Sequence, residues 1–600
     1  MHRPLLACVA AAVLLAACAS APPRNFTYAV PDQPEAASAI TEKPGWATLK
    51  FAVAAANPLA TDAGYQVLKA GGSAIDAAIA VQMVLTLVEP QSSGIGGGAF
   101  LLHSNGREVE AFDGRETAPA AADERLFLGA DGKPLPFYDA VVGGRSVGTP
   151  GTVRMLEMAH RQHGKLPWAT LFQPAIALAE NGFRVSPRLH TQLAGEQHLK
   201  KDPVAAAYFY RPTGEPHPVG HVLRNPELAA VLRRIAAEGS RALHEGDIAR
   251  AIVDKVQRHP TNPGRLSLAD LASYQPKKRA PLCHDYATQP RTYRVCGFPP
   301  PSSGAIAVGQ ILGLLNHTPA ATLPLQDGLP SADWLHLYTE AARLAFADRA
   351  QYVADPDFVQ PPGGSWMSLL APAYLAERAR LIQPAGPSMK TAQPGTPARV
   401  AAYAPMPAQP EYGTSHISIV DGHGNAIAMT TTIEDQFGSR QMVRGFLLNN
   451  ELTDFSFAPA DAEGRPIANR VQAGKRPRSS MAPTLVFDKA TNQLVMTGGS
   501  PGGALIIHFT AKTLYGVLNW GMTPQQAINL PNFASLNGPS ILEEKRFPPA
   551  TVEALRARGA EVREQAMTSG LQAITLGNAH GTPVFLGGAD PRREGIVMGD

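Results

Sequence analysis

The sequence predicts a mixed α+β protein built around a large buried core. Residues 73–88 are apolar nearly all round, which is typical of a buried helix. Residues 51–56 are a short apolar run of the kind that forms a buried strand, and residues 427–433 are also expected to form a strand. The 600 residues are 44% hydrophobic and 17% charged, a globular composition in a chain longer than one core usually serves. We therefore expect two structural units or one large two-layer unit.

The first predicted elements are a strand over residues 51–56 and two helices. The helices are expected over residues 58–70, ended by Gly71 and Gly72, and over residues 73–88, capped by Ser73. The glycine-rich run Gly94–Gly98 is suggestive of a phosphate-binding loop, but no Lys-Ser/Thr pair follows it and a helix precedes it. We interpret these glycines as a close backbone approach that leads into a strand.

The most informative stretch runs from Glu411 to Asp421. Residues from Thr414 onward alternate, with Ile417 and Ile419 on one face, which predicts a half-buried strand. Residues 384–413 just upstream are so rich in proline that we expect a flexible tether that does not pack. A second strand over residues 427–433 ends in three consecutive threonines.

A tether that leads to Gly413–Thr414 at a strand start is what a chain needs if it is to be cut there. Cleavage would give Thr414 a free α-amine beside its own hydroxyl, and such an amine can serve as the base for the hydroxyl. Its ordinary pKa of about 7.7–8.0 suits general-base work near neutral pH. The alternative is an ordinary strand start after a turn of small residues.

The N-terminus predicts export. A short basic region precedes an apolar run over residues 5–17, which is too short to span a bilayer but suits a signal peptide. Because Leu15-Ala-Ala-Cys18 resembles a bacterial lipoprotein box, we predict a signal peptide over residues 1–17, lipidation of Cys18 and an Ala/Pro-rich spacer over residues 18–45. In that class, the absence of aspartate at position 19 implies an outer-membrane anchor facing the periplasm. Ordinary cleavage near Ala19 or Ala21 is the alternative.

Two cysteines remain for the exported protein. In an oxidising compartment Cys283 and Cys296 predict a disulfide that closes a hairpin, worth about 3 kcal/mol in the chain-entropy model. A metal site would need more ligands than these two residues. The net charge of +3 and the lack of a dense Lys/Arg run argue against a nucleic-acid partner.

Motifs along the chain resemble those of the γ-glutamyltranspeptidase family. The resemblance covers about residue 46 to the end, and it is specific because the motifs occur together in order. They are Asn57-Pro-Leu-Ala60, Ala70-Gly-Gly-Ser-Ala-Ile-Asp-Ala-Ala78, Val88-Glu-Pro with Gly94–Gly98, Phe112-Asp-Gly-Arg-Glu-Thr-Ala-Pro119, Val147-Gly-Thr-Pro-Gly-Thr-Val153, Pro299-Pro-Pro-Ser-Ser-Gly304, the segment from His336 to Arg349 (amphipathic helix by spacing), Lys475-Arg-Pro-Arg-Ser-Ser-Met481, Gly499-Ser-Pro-Gly-Gly503 and Gly587-Gly-Ala-Asp-Pro-Arg-Arg593.

The resemblance implies an N-terminal-nucleophile hydrolase, a four-layer αββα sandwich that cuts itself into two associated subunits. By position the cut falls between Gly413 and Thr414, giving a large subunit over residues 46–413 and a small subunit over residues 414–600. Thr414 would be the nucleophile, with its amine as the base, and Thr432 would hydrogen-bond it and assist processing. Gly502 and Gly503 would supply the backbone amides that hold the oxyanion.

The resemblance also implies the residues that bind substrate. Arg115 would clamp the α-carboxylate, Asp454 with Glu451 would hold the α-ammonium, and the pair Ser479 and Ser480 would hydrogen-bond the carboxylate. Three features depart from the family pattern: Glu434 stands where many members carry asparagine beside the substrate amine, Arg478 replaces a leucine, and the lid segment 455–474 is short and lacks a tyrosine. We expect the short lid to favour hydrolysis over transfer.

The implied function is a periplasmic γ-glutamyl hydrolase/transferase. Its donor would be glutathione or a related γ-glutamyl compound, its acceptor water or an amino acid or peptide, and no cofactor or metal is implied. One alternative is a cephalosporin or glutaryl side-chain acylase, against which Asp454 argues because such substrates lack the α-ammonium. Another is a non-catalytic solute-binding envelope lipoprotein, which the absence of self-cleavage would favour.

Overall fold

A computed structural model describes residues 40–398, 402–579 and 581–600. The predicted signal peptide, Cys18 and most of the spacer lie outside the described residues. The α-helices are α1 (Pro58–Lys69), α2 (Ala74–Val88), α3 (Phe137–Val141), α4 (Thr152–His163), α5 (Gln173–Asn181), α6 (Pro187–Gly195), α7 (Pro203–Phe209), α8 (Pro226–Glu238), α9 (Arg241–His244), α10 (Gly246–Gln257), α11 (Leu268–Ser273), α12 (Gly304–Leu315), α13 (Ala332–Tyr352), α14 (Pro372–Ala379), α15 (Ile506–Leu518), α16 (Pro524–Asn529) and α17 (Pro549–Ala557).

The strands follow the same interleaved order along the chain. They are β1 (Trp46–Thr48), β2 (Ala52–Ala55), β3 (Gly98–Ser104), β4 (Val109–Asp113), β5 (Phe183–Arg184), β6 (Val222–Leu223), β7 (Lys277–Arg279), β8 (Leu282–Ala287), β9 (Thr292–Gly297), β10 (Ser415–Val420), β11 (Ala426–Thr432), β12 (Met442–Val443), β13 (Phe446–Leu447), β14 (Thr484–Asp488), β15 (Leu494–Gly499), β16 (Phe533–Ala534), β17 (Ser540–Glu543), β18 (Val562–Gln565), β19 (Gln572–Ala579), β20 (Thr582–Ala589) and β21 (Ile596–Gly599).

Two seven-stranded antiparallel sheets form the centre of the molecule. One has the order β1-β20-β19-β15-β14-β9-β8, and the other has the order β21-β2-β10-β11-β3-β4-β7. Strand β10 therefore lies in the middle of the second sheet, between β2 and β11. This places Thr414, which directly precedes β10, at the end of a central strand.

The core consists of two large apolar clusters on the two faces of that second sheet. On one face, Ile417 and Ile419 pack with helices such as α1 and α2. On the other face, Val420 packs with the first sheet, whose far side is covered by α12, α13 and α15. The order is helices, sheet, sheet, helices, so the expected four-layer αββα sandwich is confirmed.

The predicted local signals for the first helices and glycines are also confirmed. Ser73 caps α2 through a capping box with Asp76. A Cβ on Gly97 would lie 2.0 Å from the Thr432 carbonyl oxygen, and one on Gly96 would lie 2.1 Å from the Leu447 oxygen. These glycines allow the chain entering β3 to lie directly against the end of β11.

Two expectations about burial are wrong. Every residue of β10 is buried, although alternation predicted a half-buried strand, because a second sheet covers the face that alternation assigned to solvent. Helix α13 is buried around most of its circumference rather than amphipathic, since its polar groups find partners inside the protein. One such partnership joins Arg343 to Glu340.

The expectation that the proline-rich segment does not pack is wrong for its described residues. The described residues of the segment form no helix, but Ala404 is fully buried and its N–H donates to the Pro466 oxygen at 3.0 Å. The N–H of Met406 donates to the Ala350 oxygen at 3.0 Å. Proline removes donors from a backbone, and the remaining donors are sufficient here to hold an extended chain against its neighbours.

The disulfide between Cys283 and Cys296 is present. The two residues lie directly opposite each other in the β8–β9 hairpin, as the spacing predicted. Among the described residues, none of the helices combines the length and the apolar character that a bilayer crossing requires.

Candidate active site

Thr414 lies at the meeting point of several structural elements. It directly precedes β10, its side chain is buried, and its carbonyl oxygen accepts from Arg593 at 3.3 Å. The neighbouring strand β11 ends at Thr432, which pairs with Gly98 at the start of β3. The start of β10, the end of β11 and the start of β3 thus lie together at Thr414 in the second sheet.

Two threonine hydroxyls meet at the carbonyl oxygen of Gly413. The Thr414 hydroxyl contacts this oxygen, and the Thr432 hydroxyl donates to it at 3.0 Å. The Thr432 oxygen in turn accepts from the Glu434 N–H at 2.8 Å, which fixes its direction. The Gly413–Thr414 peptide is therefore held with a hydroxyl beside its carbonyl group and a donor on its oxygen.

The predicted oxyanion glycines lie in the turn that leads from β15 into α15. Gly502 and Gly503 both have positive φ, 134° and 57°, a conformation that favours glycine. Gly503 lines the same small cavity as Thr414. A Cβ on Gly503 would lie 2.0 Å from the Glu411 carbonyl oxygen, so a side chain there would collide with the segment that precedes the peptide.

Arg115 is fully buried and binds the two predicted ammonium-binding acids. Its guanidinium forms salt bridges with Glu451 and Asp454 and donates to the carbonyl oxygens of Pro477 and Arg478, at 3.1 and 3.0 Å. Burial lowers the pKa of Arg115, but Glu451 and Asp454 raise it further, so the group stays charged. Burial raises the pKa of Asp454 to about 8, although Arg115 opposes this shift.

Glu434 completes the acidic side of the site. It has a φ of 74°, and its carboxylate accepts from Asn450, from the Thr453 hydroxyl at 3.3 Å and from the Tyr412 N–H at 3.2 Å. Burial, followed by the charge of Asp454, raises the pKa of Glu434 well above its ordinary value. An arriving cation would reverse this shift, because an opposite charge favours the ionised carboxylate.

Of the predicted serine pair, Ser480 faces the site with its hydroxyl. It contacts the carboxylate of Glu411 and accepts from Arg349 at 2.5 Å. The hydroxyl of Ser479 instead accepts from the Met481 N–H at 3.0 Å, and its carbonyl oxygen accepts from the Ser303 N–H at 2.7 Å. The structure thus brings both serines to the site, with one of them bonded mainly to its own backbone surroundings.

The site is almost filled in the uncleaved chain. The cavity that Thr414 shares with Arg115, Glu434 and Ser480 has a volume of about 20 Å³, roughly the space of one water molecule. Glu411, Tyr412 and Gly413 also line this cavity. A larger cavity of about 1160 Å³ lies elsewhere, next to Arg440, and Thr414 does not line it.

One group of side chains among the described residues could hold a metal ion. The ligand atoms of His103, Glu110 and His163 all lie within 4.8 Å of one another. The ammonium of Lys278 contacts the same Glu110 carboxylate and already supplies a positive charge there. His103 lies near the last residue of β3, whereas Gly98, which pairs with Thr432, is the first residue of that strand. This cluster is therefore separate from the environment of Thr414.

Comparison with known proteins identifies the family. The sequence model of the family described as Gamma-glutamyltranspeptidase matches residues 60–600. The chain belongs to the γ-glutamyltranspeptidase family. It is 36% identical over 558 residues to the glutathione hydrolase proenzyme of Bacillus subtilis, covering 91% of each chain, and 35% identical over 550 residues to that of Escherichia coli K12, covering 90% of each. A solved cephalosporin acylase from Bacillus halodurans has a TM-score of 0.79 at 27% identity, covering 95% of this chain and 99% of that one.

These comparisons agree with the four-layer architecture. The protein is an N-terminal-nucleophile hydrolase of the γ-glutamyltranspeptidase family, and it is an enzyme. The Gly413–Thr414 peptide is thus found in a chain whose relatives from Bacillus subtilis and Escherichia coli are named proenzymes.

Sequence reasoning about the γ-glutamyltranspeptidase motifs missed two charged residues of the site. Glu411 contacts Ser480 and accepts from Arg349 at 2.7 Å. Both residues stood in stretches that the sequence singled out, but no role was assigned to them. The available signal was an acidic residue three positions before Thr414 and an arginine that helix α13 buries.

Proposed function

We propose that this enzyme cleaves itself between Gly413 and Thr414 and then forms a γ-glutamyl-enzyme on Thr414. The donor is glutathione or a related γ-glutamyl compound, and the acceptor is water or an amino acid or peptide. The observation that carries the proposal is the meeting of the Thr414 and Thr432 hydroxyls at the Gly413 carbonyl oxygen. The glutathione hydrolase names of the relatives support the choice of donor.

Self-cleavage begins with attack of the Thr414 hydroxyl on the Gly413 carbonyl carbon. The Thr432 hydroxyl, which donates a hydrogen bond to the carbonyl oxygen at 3.0 Å, stabilises the negative charge that develops on that oxygen. The C–N bond breaks, the nitrogen of Thr414 takes up the proton, and Gly413 becomes an ester on the threonine oxygen. Water then hydrolyses the ester, which leaves a carboxylate on Gly413 and a free amine on Thr414.

The γ-glutamyl reaction uses the same oxygen a second time. The Thr414 hydroxyl attacks the γ-carbonyl carbon of the donor while the free α-amine accepts its proton. The backbone N–H groups of Gly502 and Gly503 bind the oxyanion, a contribution that is typically about 3–4 kcal/mol for one donor. The protonated amine returns the proton to the leaving amine, and water or an amine acceptor then releases the γ-glutamyl group.

The acidic side of the site suits the α-ammonium of the donor. Glu434, Glu451 and Asp454 are all buried near one another, and burial raises the pKa of each carboxyl group. Only one guanidinium, that of Arg115, forms salt bridges with members of this trio in the described part of the chain. A bound ammonium would supply the missing positive charge, and Glu434 adds one more acceptor where many members carry asparagine.

Intact mass measurement and N-terminal sequencing test the proposal. Wild type is expected to separate into two chains, the smaller one beginning at Thr414, whereas Thr414→Ala stays whole. The cleaved protein is then expected to release glutamate from glutathione. A wild type that stays in one chain would overturn the proposal.

A second candidate is side-chain acylase activity, because the Bacillus halodurans structure carries the name cephalosporin acylase. The α-ammonium discriminates between the two candidates, since a glutaryl donor lacks it. Asp454→Asn is expected to lower kcat/KM for glutathione about 10- to 100-fold, the usual effect of losing a charged hydrogen-bond partner. The same substitution should leave any glutaryl hydrolysis unchanged. A larger loss on the glutaryl donor would favour the acylase.

We also propose that the protein is held at the periplasmic face of the outer membrane by a lipid on Cys18, with residues 18–45 as its spacer. Mass spectrometry of the membrane-extracted protein tests this: a diacylated Cys18 peptide is expected, and cleavage near Ala19 would overturn it.

The short lid segment 455–474 supports hydrolysis as the dominant reaction. The ratio of glutamate to γ-glutamyl-peptide product measures the balance between hydrolysis and transfer.

A further inference from the structure

Three ligand atoms converge where the second sheet meets the helices that cover it. His103 on β3 and Glu110 on β4 lie directly opposite each other in the strand pair, and His163 is the last residue of α4. Nδ1 of His103 lies 3.5 Å from Oε2 of Glu110, and the same oxygen contacts Nε2 of His163. Two strands and a helix end thus bring two imidazoles and one carboxylate to one point.

These three atoms are buried and lack regular hydrogen bonds. In the described part of the chain, Nδ1 of His103, Oε2 of Glu110 and Nε2 of His163 have no hydrogen-bond partner of good geometry. The side chain of His103 is 2% exposed, so water does not replace the missing partner. An unpaired buried polar atom costs stability, and a single cation that accepts a lone pair from each atom would satisfy all three together.

The donor set fits a divalent transition metal. Imidazole nitrogens and carboxylate oxygens bind Zn²⁺ at about 2.0–2.2 Å, so the ligand atoms of a tetrahedral zinc site lie about 3.3 Å apart. The distance of 3.5 Å between His103 and Glu110 is close to that spacing. The contact between Glu110 and His163 is shorter and would lengthen on binding, for which His163 has room because its side chain is 20% exposed. Ca²⁺ and Mg²⁺ fit less well, since they prefer oxygen ligands.

The nearby Lys278 leaves the ligand atoms accessible to an ion. Its ammonium contacts the other carboxylate oxygen, Oε1 of Glu110, and donates to Gln162 at 2.8 Å. The side chain of Lys278 is 45% exposed, so water and salt screen its charge. Glu110 and His163 are themselves half-buried, which leaves the fourth position of a tetrahedron open to a water molecule.

We propose that His103, Glu110 and His163 form a binding site for one divalent transition metal ion, which Zn²⁺ fits best, with water as the fourth ligand. The ion would fasten the end of α4 to the β3–β4 strand pair. Its role is structural, because the site lies at the end of β3 that is remote from Gly98 and Thr432. The inference is independent of the proposed γ-glutamyl function.

Isothermal titration calorimetry with Zn²⁺ tests the site. The purified protein is prepared without a polyhistidine tag and freed of metal with a chelator, which is then removed. Wild type is expected to bind one Zn²⁺ per chain and no Ca²⁺ in its place. His163→Gln and Glu110→Gln should each weaken Zn²⁺ binding at least about 100-fold, because losing a ligand costs more than the roughly 10- to 100-fold loss caused by removing a group that only orients one.

Three matched controls locate the bound ion. Glu108→Gln and His317→Gln remove exposed residues of the same two types, and Glu108 stands only two positions before Glu110. His217→Gln disrupts the stacked pair of His217 and His221, whose ring centroids lie 4.1 Å apart and which could hold a metal ion at the surface. All three controls should bind as wild type does. Absence of binding to wild type, loss of the ion in His217→Gln, or equal binding by every variant would overturn the site.

Two further measurements separate loss of a ligand from damage to the fold. Zn²⁺ should raise the Tm of wild type, since an ion that binds the folded state stabilises it, and should leave the Tm of His163→Gln unchanged. X-ray absorption of Zn²⁺-loaded wild type needs no variant and should show two imidazoles among nitrogen and oxygen ligands at about 2.0–2.1 Å. A spectrum with fewer than two imidazoles would overturn the site.

The uncleaved variant Thr414→Ala distinguishes failure of the metal site from failure of the proposed function. It should bind one Zn²⁺ as wild type does, because none of the three ligands belongs to the environment of Thr414. If wild type neither cleaves itself nor consumes glutathione, the proposed function is wrong, and the Zn²⁺ titration still decides the metal site.

Discussion

Replacing Thr432 by valine should slow self-cleavage strongly. The change removes the hydroxyl that donates to the Gly413 carbonyl oxygen at 3.0 Å and keeps the size and branching of the side chain. The substitution acts on the oxygen where negative charge develops during attack by Thr414. We therefore expect the chemical step, rather than the fold, to be affected most.

The size of the effect follows from the number of donors lost. Removal of one oxyanion donor typically costs about 2.7–4 kcal/mol, or about 10²–10³ in rate. In the wild type the buried N–H of Glu434 donates to the Thr432 hydroxyl oxygen at 2.8 Å. The same substitution removes this acceptor, which should lower the free energy of unfolding by about 1–3 kcal/mol. Thr432→Ser keeps both hydrogen bonds and should retain most of the rate.

Denaturing gel electrophoresis and intact mass measurement follow the conversion of full chain into residues 414–600 over time. Thr431→Val is the matched control, because Thr431 is a fully buried neighbour on the same strand whose hydroxyl donates to Gly98 at 3.4 Å instead. If Thr432→Val cleaves at the wild-type rate, or if Thr431→Val is slowed equally, the assignment of Thr432 as the donor is refuted.

Three further predictions concern the surroundings of the site. Gly503→Ala should slow self-cleavage, because its Cβ would lie 2.0 Å from the Glu411 carbonyl oxygen. Gly538→Ala is the control and should not slow it, because the space around Gly538 is open. A time course of cleavage compares the two variants. Burial lowers the pKa of His416 and of His508 to about 3, so each stays neutral in the folded protein while the unfolded chain binds a proton below about 6.5. The stability that each neutral histidine contributes is therefore fully present above that pH and is lost as the pH falls toward 3, by up to about 1.4 kcal/mol per histidine per pH unit. Urea midpoints are compared for wild type and His508→Gln, and a variant whose midpoint falls as much as that of wild type between neutral and mildly acidic pH would contradict this. Replacing both Cys283 and Cys296 by alanine should lower the free energy of unfolding by about 3 kcal/mol, and an unchanged urea midpoint would count against it.

Signals that depend on neighbours in the sequence predicted the structure well. Ser73 caps its helix, and the glycines at 96–98 lie against other backbone because the sequence offers no side chain there. The strand that follows Thr414 was also placed correctly from its alternation. Such features depend on few residues, all of them close along the chain or marked by composition.

Features that depend on distant residues could not be predicted in the same way. Alternation in β10 distinguishes two faces, but whether a second sheet covers the polar face is decided by strands such as β15 and β19. Likewise, Glu411 and Arg349 are 62 residues apart, and nothing local connects them. The roles implied for Thr414, Thr432 and the glycines came from motif resemblance and stay predictions until cleavage is measured.

The strand order has a consequence for how the cleaved enzyme would come apart. Strand β2 lies between β10 and β21, and β1 pairs with β20, so strands from both sides of the cut share each sheet. Two chains interwoven in this way cannot dissociate as folded bodies, since separation would expose the interior of both sheets. The intact precursor would fold in a unimolecular reaction, but the separated chains would have to find each other first. Recovery after denaturation should then depend on protein concentration for the cleaved enzyme and not for Thr414→Ala.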